Sequence, residues 1–266
     1  SHPLKRKKKY YNSHFLFGQK GLAPKMALMF DCPLVFYGED EAEYGNAKSD
    51  TTSPQRDNKY FAASDSEELF FGGVSTSDLT KYFGLCDNDL EAYLPANREV
   101  LAQKNVEVHY LGYYLKWHPQ GCYYYAVEHG GFQASPERTP STYSKYNSID
   151  DRIDECHYWT SLIKFGLGRA TNDAAQEIRS GEITREEGVA LVKRFELEYP
   201  ERFAEEILHY LSISEKEFPI AFKMFEKPVM DRSYLFRLAD QFRSPHLWKF
   251  VEGEWHLRHA VWQEQN

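Results

Sequence analysis

The feature that most constrains this chain is a short apolar run, Leu34-Val35-Phe36-Tyr37, set between Pro33 and Gly38. Nothing polar alternates with these side chains, so the run predicts a strand buried on both faces, as in the interior of a parallel α/β sheet. Directly after it stand Gly38, Glu39, Asp40, Glu41, Ala42 and Glu43, four carboxylates within five positions. In open parallel sheets, ligands bind beyond the carboxyl ends of the strands. Carboxylates massed there repel one another, and Mg²⁺, often with a substrate phosphate, is the usual neutraliser. The same residues also suit a solvated acidic turn without a ligand.

The rest of the pattern divides the chain. Residues 22–31 have helical spacing, and 45–68 read as a polar loop or insertion. Ser75 starts a helix through Tyr82, and Val106 to Gly112 alternates with period two, which predicts a second strand. Residues 117–151, with Pro119, Gly130-Gly131, Pro136 and Pro140, read as loop-rich and as a binding surface. From about 152 the character becomes helical. Thr171 or Asn172 is placed to cap a helix through Arg179 that stops at Gly181, and Thr184 to Glu187 is a capping box. Ser214 to Glu217 is a second such box. Two regions result: 1–115, an α/β part with a polar insertion at 45–75, and 116–266, loop-rich and then helical.

Composition removes several function classes. The 266 residues carry 32 Lys+Arg against 40 Asp+Glu, a net charge of −8. General nucleic-acid binding needs an electropositive face, so it is not expected. The basic run Lys5 to Lys9 then reads as a solvated helix face. No uncharged apolar stretch approaches the roughly 18 residues of a bilayer span, and no apolar segment of the secretory kind follows the basic run. Cys32, Cys86, Cys122 and Cys156 form no Cys-x-x-Cys pair, so a reducing, cytoplasmic setting and buried thiols are expected. A zinc site from Cys122, His129, Cys156 and His157 lacks the close ligand spacing such sites use. Aromatic residues reach 16% (19 Tyr, 18 Phe, 5 Trp). Core filling explains most of them, and Tyr-rich surfaces suit sugars, nucleotides and protein partners.

Two further stretches carry candidate chemistry. Tyr143-Ser144-Lys145, in the run that continues to Asp151, offers hydroxyls and a cation to a phosphorylated or hydroxylated substrate. An N-cap at Ser148 explains the end of that run equally well. Lys164-Phe165-Gly166-Leu167-Gly168-Arg169 places two glycines where backbone can approach a ligand, with Lys164 and Arg169 as flanking cations. It is not a Walker A loop, and a helix break with solvent-facing bases accounts for it as well.

Pro33 to Gly45, Tyr143 to Asp151, Ile163 to Thr171, Gln176 to Gly188 and Phe242 to Trp248 together resemble, in order, the blocks of the N-acetyl sugar amidotransferases of surface-polysaccharide and flagellar-glycan biosynthesis. The resemblance implies an N-type ATP pyrophosphatase with a HUP-like parallel sheet, here incomplete, and a mostly helical C-terminal half. ATP would activate the oxygen of a sugar acetamido group, and ammonia from a partner glutaminase would then leave an acetamidino group on a nucleotide-linked N-acetyl sugar. On this resemblance Glu39, Asp40 and Glu43 are the catalytic residues, and Glu39 and Asp40 hold Mg²⁺. Gly38, Lys164 and Arg169 bind ATP phosphates, and Tyr143, Ser144 and Lys145 bind the nucleotide sugar. The family's Ser-Gly-Gly-x-Asp-Ser loop and zinc cysteines are not among the 266 residues, so either a preceding segment carries them, the one place left for zinc, or the protein lacks its own ATP loop. The alternative expectation is a non-catalytic module that binds nucleotide sugar or docks the glutaminase. An incomplete parallel sheet leaves an edge open, which predicts a homodimer.

Overall fold

The computed structural model describes residues 13–38, 51–71, 74–116, 118–212 and 229–263. The chain divides into two compact units, Ser1–Trp117 and His118–Asn266.

In the first unit α1 (Ser13–Met29) leads into β1 (Leu34–Tyr37). Pro24 lies inside α1 and has no N–H to give the Lys20 carbonyl one turn back. The Tyr37 hydroxyl donates to that carbonyl at 3.0 Å, so the defect in the helix becomes its tie to β1. Then come β2 (Ala62–Ala63), β3 (Phe70–Phe71), β4 (Val74–Ser75), α2 (Thr76–Phe83), α3 (Asp87–Leu90), β5 (Ala96–Asn97), α4 (Arg98–Gln103) and β6 (Glu107–Tyr110). The helix expected after Ser75 forms, with the Ser75 hydroxyl accepting from the Asp78 amide.

β1 lies parallel to β6, Leu34 opposite Glu107 and Tyr37 opposite Tyr110. β2 and β5 form a second parallel pair, and β3 and β4 an antiparallel one. Residues 54–56 cover the other edge of β6, through Arg56 N–H to the Val108 carbonyl and Tyr110 N–H to the Pro54 carbonyl. Among the described residues the unit thus has two-stranded sheets and no wide parallel one. The expected burial of β1 on both faces is corrected accordingly. Val35 and Tyr37 pack on the core of Phe61, Ala62, Ala96, Leu101 and Val108, while Leu34 and Phe36 remain 44% and 48% exposed. The polar stretch expected to run loop-like to 68 ends earlier, because Phe61, Ala62 and Ala63 are buried.

The second unit contains α5 (Pro119–Gly130), α6 (Asp154–Phe165), α7 (Arg169–Ser180), α8 (Arg185–Phe195), α9 (Ala204–Leu211), α10 (Arg232–Gln241) and the hairpin β7 (Trp248–Val251) with β8 (Glu254–Leu257). α5 corrects the reading of 117–151 as loop throughout. Its prolines and glycines mark helix ends: Pro119 sits in the first turn, His118 Nδ1 accepts from the Gly121 amide, and Gly131 takes the left-handed cap at φ +66°. α7 starts at Arg169 rather than after Thr171 or Asn172, and it stops at Gly181 as expected. The Thr184 capping box forms in both halves. The second box, at Ser214, lies outside the described residues.

The main core of this unit joins Trp159 and Ile163 of α6 to Met230 and to Tyr234, Leu235 and Ala239 of α10. Truncating a side chain such as Trp159 there costs about 3–5 kcal/mol. Trp248 Nε1 donates to the Ile163 carbonyl at 2.7 Å and pins the hairpin to α6. The expectation of buried thiols fails: Cys32, Cys86 and Cys122 are exposed, and only Cys156 is half-buried. Among the described residues no helix is long and apolar enough to cross a membrane.

Candidate functional site

The first candidate region lies beyond the carboxyl end of β1. Gly38 follows the strand, and among the described residues no atom lies within 4 Å of where a Cβ would stand. Glu39, Asp40 and Glu43 lie outside the described residues. Among those described, no three His, Cys, Asp or Glu side chains form a group able to hold a metal ion.

The second region is built by residues 135–147 against α7. The segment is folded on itself by Ser135 N–H to the Lys145 carbonyl and Thr139 N–H to the Ser144 carbonyl. Thr139 Oγ1 adds a bond to the Asn147 carbonyl at 2.8 Å. This closure sends the expected trio in three directions. Tyr143 donates its hydroxyl to Glu177 Oε2 at 2.9 Å. Ser144 is buried, and its oxygen accepts from the Tyr146 amide. Lys145 is exposed and donates to the Pro136 carbonyl.

One turn before Glu177, Asp173 is buried and accepts from Thr142 Oγ1 at 2.6 Å. Arg169 approaches the same carboxylate at 3.1 Å, lies 3.6 Å from Asp154, and covers the Tyr158 ring. Tyr143 and Arg169 are therefore brought to one face of α7, while Lys164 is exposed beside Phe165.

The electrostatics follow from burial. Burial pushes the Asp173 carboxyl above the usual range, and Arg169 and Thr142 oppose that shift. Burial also raises Glu177, against the pull of the Tyr143 hydroxyl and with Asp173 and Glu182 adding to it. The Tyr143 and Tyr146 phenols are both driven up, by burial first and then by Glu177. They stay protonated donors at neutral pH. Tyr146 in turn donates to Gln120 Oε1 at 2.8 Å and stacks on Tyr123 at 4.3 Å. Beside them His118 Nε2 lies 2.8 Å from Glu182. A half-buried face of phenols, an amide and carboxylates suits the hydroxyls of a neutral ligand and disfavours phosphate.

The glycine segment before α7 is filled from within. Glu196, 1% exposed, accepts from Gly168 N–H at 2.8 Å, from Thr171 N–H at 3.0 Å and from Thr171 Oγ1 at 2.6 Å. A Cβ at Gly168 would stand 2.8 Å from the Glu196 carboxyl carbon, so glycine is needed for this approach. The anion at the N-terminus of α7 is the protein's own side chain, and those donors are not offered to a phosphate. Arg169 is likewise engaged by Asp154 and Asp173.

Asp173, Thr142 and Gln120 were not singled out in the sequence, Tyr146 stood only within the run from Tyr143 to Asp151, and Glu177 only within the block from Gln176. The i,i+4 spacing of Arg169, Asp173 and Glu177 along one helix face was the available signal.

Residues 140–261 match a family model described as LPS biosynthesis protein WbpG-like, C-terminal domain. The second unit is thus similar to a domain of lipopolysaccharide-biosynthesis proteins. The match takes in the blocks from Tyr143, Ile163, Gln176 and Phe242, and leaves out the block from Pro33. No curated protein matches the chain.

Proposed function

We propose that this chain is part of an ATP-dependent amidotransferase of lipopolysaccharide or related glycan biosynthesis. It converts the acetamido group of a nucleotide-linked N-acetyl sugar to an acetamidino group, with ammonia from a partner glutaminase, in the cytoplasm. The observation that carries this reading is the match of 140–261 to the WbpG-like domain, which spans four of the five blocks resembling sugar amidotransferases. An amide carbon is a poor electrophile and its oxygen a poor leaving group, which is why ATP is required.

Within this reading, Tyr143 and Glu177, with Glu182 nearby, face the sugar hydroxyls, since carboxylates repel phosphate. Lys164 remains an exposed cation for phosphate. Arg169 acts at one remove, by fixing Asp173 and Asp154. Glu39 and Asp40 would hold Mg²⁺ beyond β1, with Glu43 beside them, and the metal would neutralise pyrophosphate there.

Two measurements test the proposal. The protein together with the segment expected to carry the Ser-Gly-Gly-x-Asp-Ser loop, incubated with ATP, Mg²⁺, a nucleotide-linked N-acetyl sugar and isotopically heavy ammonia, should release AMP and carry the heavy nitrogen into the sugar. AMP formation without incorporation would refute it. Mg²⁺ should also raise the thermal midpoint of the wild-type chain and not that of Glu39→Gln/Asp40→Asn. An equal rise in both removes the metal assignment.

A further inference from the structure

Along β6 and just beyond it, three side chains form a chain of hydrogen bonds that none of the motifs above includes. Glu107 and His109 point to the same face of β6, as residues two apart in a strand do. His109 Nε2 lies 2.9 Å from Glu107 Oε2, and His109 Nδ1 lies 2.6 Å from the Tyr114 hydroxyl. The imidazole and phenol planes lie within 15° of each other.

The carboxylate settles the direction of these bonds. Glu107 can only accept, so Nε2 carries the proton in the neutral ring and Nδ1 is left as the acceptor. Tyr114 must then donate to Nδ1. Its far side is open: Tyr114 is 53% exposed, and Phe36, in register with His109 across the sheet, walls the site with ring centroids 5.7 Å from Tyr114 and 6.1 Å from His109. An oriented base behind an exposed hydroxyl is the arrangement of an activated proton acceptor.

We propose that Glu107, His109 and Tyr114 form a proton relay ending at the Tyr114 hydroxyl, and that it takes a proton from an attacking amine of the ammonia class. This rests on the amidotransferase reading. An amine that forms a C–N bond at the adenylylated carbon acquires a positive charge on nitrogen and must lose one N–H proton, and the C–O bond at that carbon breaks as AMP leaves with the oxygen. The N–H proton goes to the Tyr114 oxygen as the hydroxyl's own proton moves to His109 Nδ1. The imidazolium so formed is held against the Glu107 carboxylate. Tyr114 is the catalytic residue, and His109 and Glu107 position and polarise it.

The test uses the full chain and N-acetylimidazole, which transfers its acetyl group to tyrosine oxygen with imidazole leaving, followed by mass spectrometry of each tyrosine. Tyr82 and Tyr210, 62% and 72% exposed, are internal references. Exposure alone predicts that Tyr114 reacts more slowly than either. The relay predicts a rate at least about tenfold above both, falling to their level in His109→Phe and several-fold in Glu107→Gln, since assistance by a positioned base is worth about 10²–10⁴ at most sites. Glu107 is exposed, so its variant keeps the fold and decides the matter should His109→Phe fail to fold. A Tyr114 rate at or below the references, or one unchanged in Glu107→Gln, overturns the relay. The labelling needs neither ATP nor sugar. Fast Tyr114 labelling in a protein that forms no AMP even with the segment expected to carry the ATP loop refutes the amidotransferase reading and keeps the relay, while slow labelling in an active protein does the reverse. In an active chain, Tyr114→Phe should lower ammonia-dependent kcat by about 100-fold or more, and an unchanged kcat removes the assignment to the amine.

Discussion

Removing the Glu196 carboxylate should release the first turn of α7. The side chain is buried and accepts three hydrogen bonds, from two amides and the Thr171 hydroxyl, all between 2.6 and 3.0 Å. Hydrogen bonds to a charged group contribute about 1.5–3 kcal/mol each, and a donor left buried without a partner costs about 1–3 kcal/mol. Glu196→Ala deletes all three bonds, but it opens space for water and relieves the burial of a charge. The net effect on opening this turn is about 3 kcal/mol, or roughly 100-fold in an equilibrium constant at about 1.4 kcal/mol per decade.

Amide hydrogen exchange of the full chain reads this locally, because exchange reports the opening free energy of each segment. Amides at residues 168–172 should exchange about 100-fold faster in Glu196→Ala. In Glu196→Gln the gain should be about tenfold, since the carboxamide oxygen still accepts while its NH₂ is turned against a donor. Helix α10 is the control, capped by its own Asp231 through the Tyr234 amide at 2.7 Å, and its rates should not change. A change below about threefold at 168–172 would show that the carboxylate is not what satisfies this helix end, because three lost bonds predict far more. Equal acceleration in α10 would refute a local cap as well.

Two other consequences follow from the same unit. Glu198 accepts from both terminal nitrogens of Arg138, at 2.7 and 2.6 Å, and from Ser141 N–H at 2.9 Å, and the Arg138 bond holds its carboxyl below the usual 4.5. A depressed carboxyl stabilises the fold fully above its unfolded value and loses that contribution as pH falls through the folded one. The thermal midpoint of wild type should therefore exceed that of Glu198→Gln at neutral pH and converge on it below 4.5, and a gap that persists in acid would refute the pairing. Thr142→Val deletes the buried donor to Asp173 and should cost about 2 kcal/mol in chemical denaturation of the second unit, as a buried acceptor losing its partner does.

How far the fold was legible depends on the range of the interaction that decides each element. The Ser75 and Thr184 helix starts rest on bonds to residues three positions on, and they were readable for that reason. The parallel pairing of the 34–37 strand with 107–110 was also within reach, because each run declares itself by its own apolar pattern. Burial of that strand was not. It depends on what covers the second face, and Leu34 and Phe36 carry no mark of being left open. α5 was missed for a different reason, since Pro119 and Gly131 break a chain in one context and bound a helix in another.

The glycine segment shows the same limit where function is at stake. Gly166-Leu167-Gly168 followed by Arg169 and Thr171 says correctly that an anion sits close to backbone at a helix N-terminus. It does not say whose anion. The carboxylate comes from Glu196, 25 residues beyond Thr171, at the far end of a helix whose own sequence reads as ordinary. The charged residues around this segment thus divide into two kinds. Arg169 is engaged by Asp173 and Asp154, and Glu196 by Gly168 and Thr171, so these side chains serve the turn itself. Tyr143 with Glu177 and the exposed Lys145 and Lys164 are presented by that turn with surface still open. Substitutions in the first set should disturb exchange and stability together with any activity, whereas a ligand role for the second requires that binding be lost while both stay at their wild-type values.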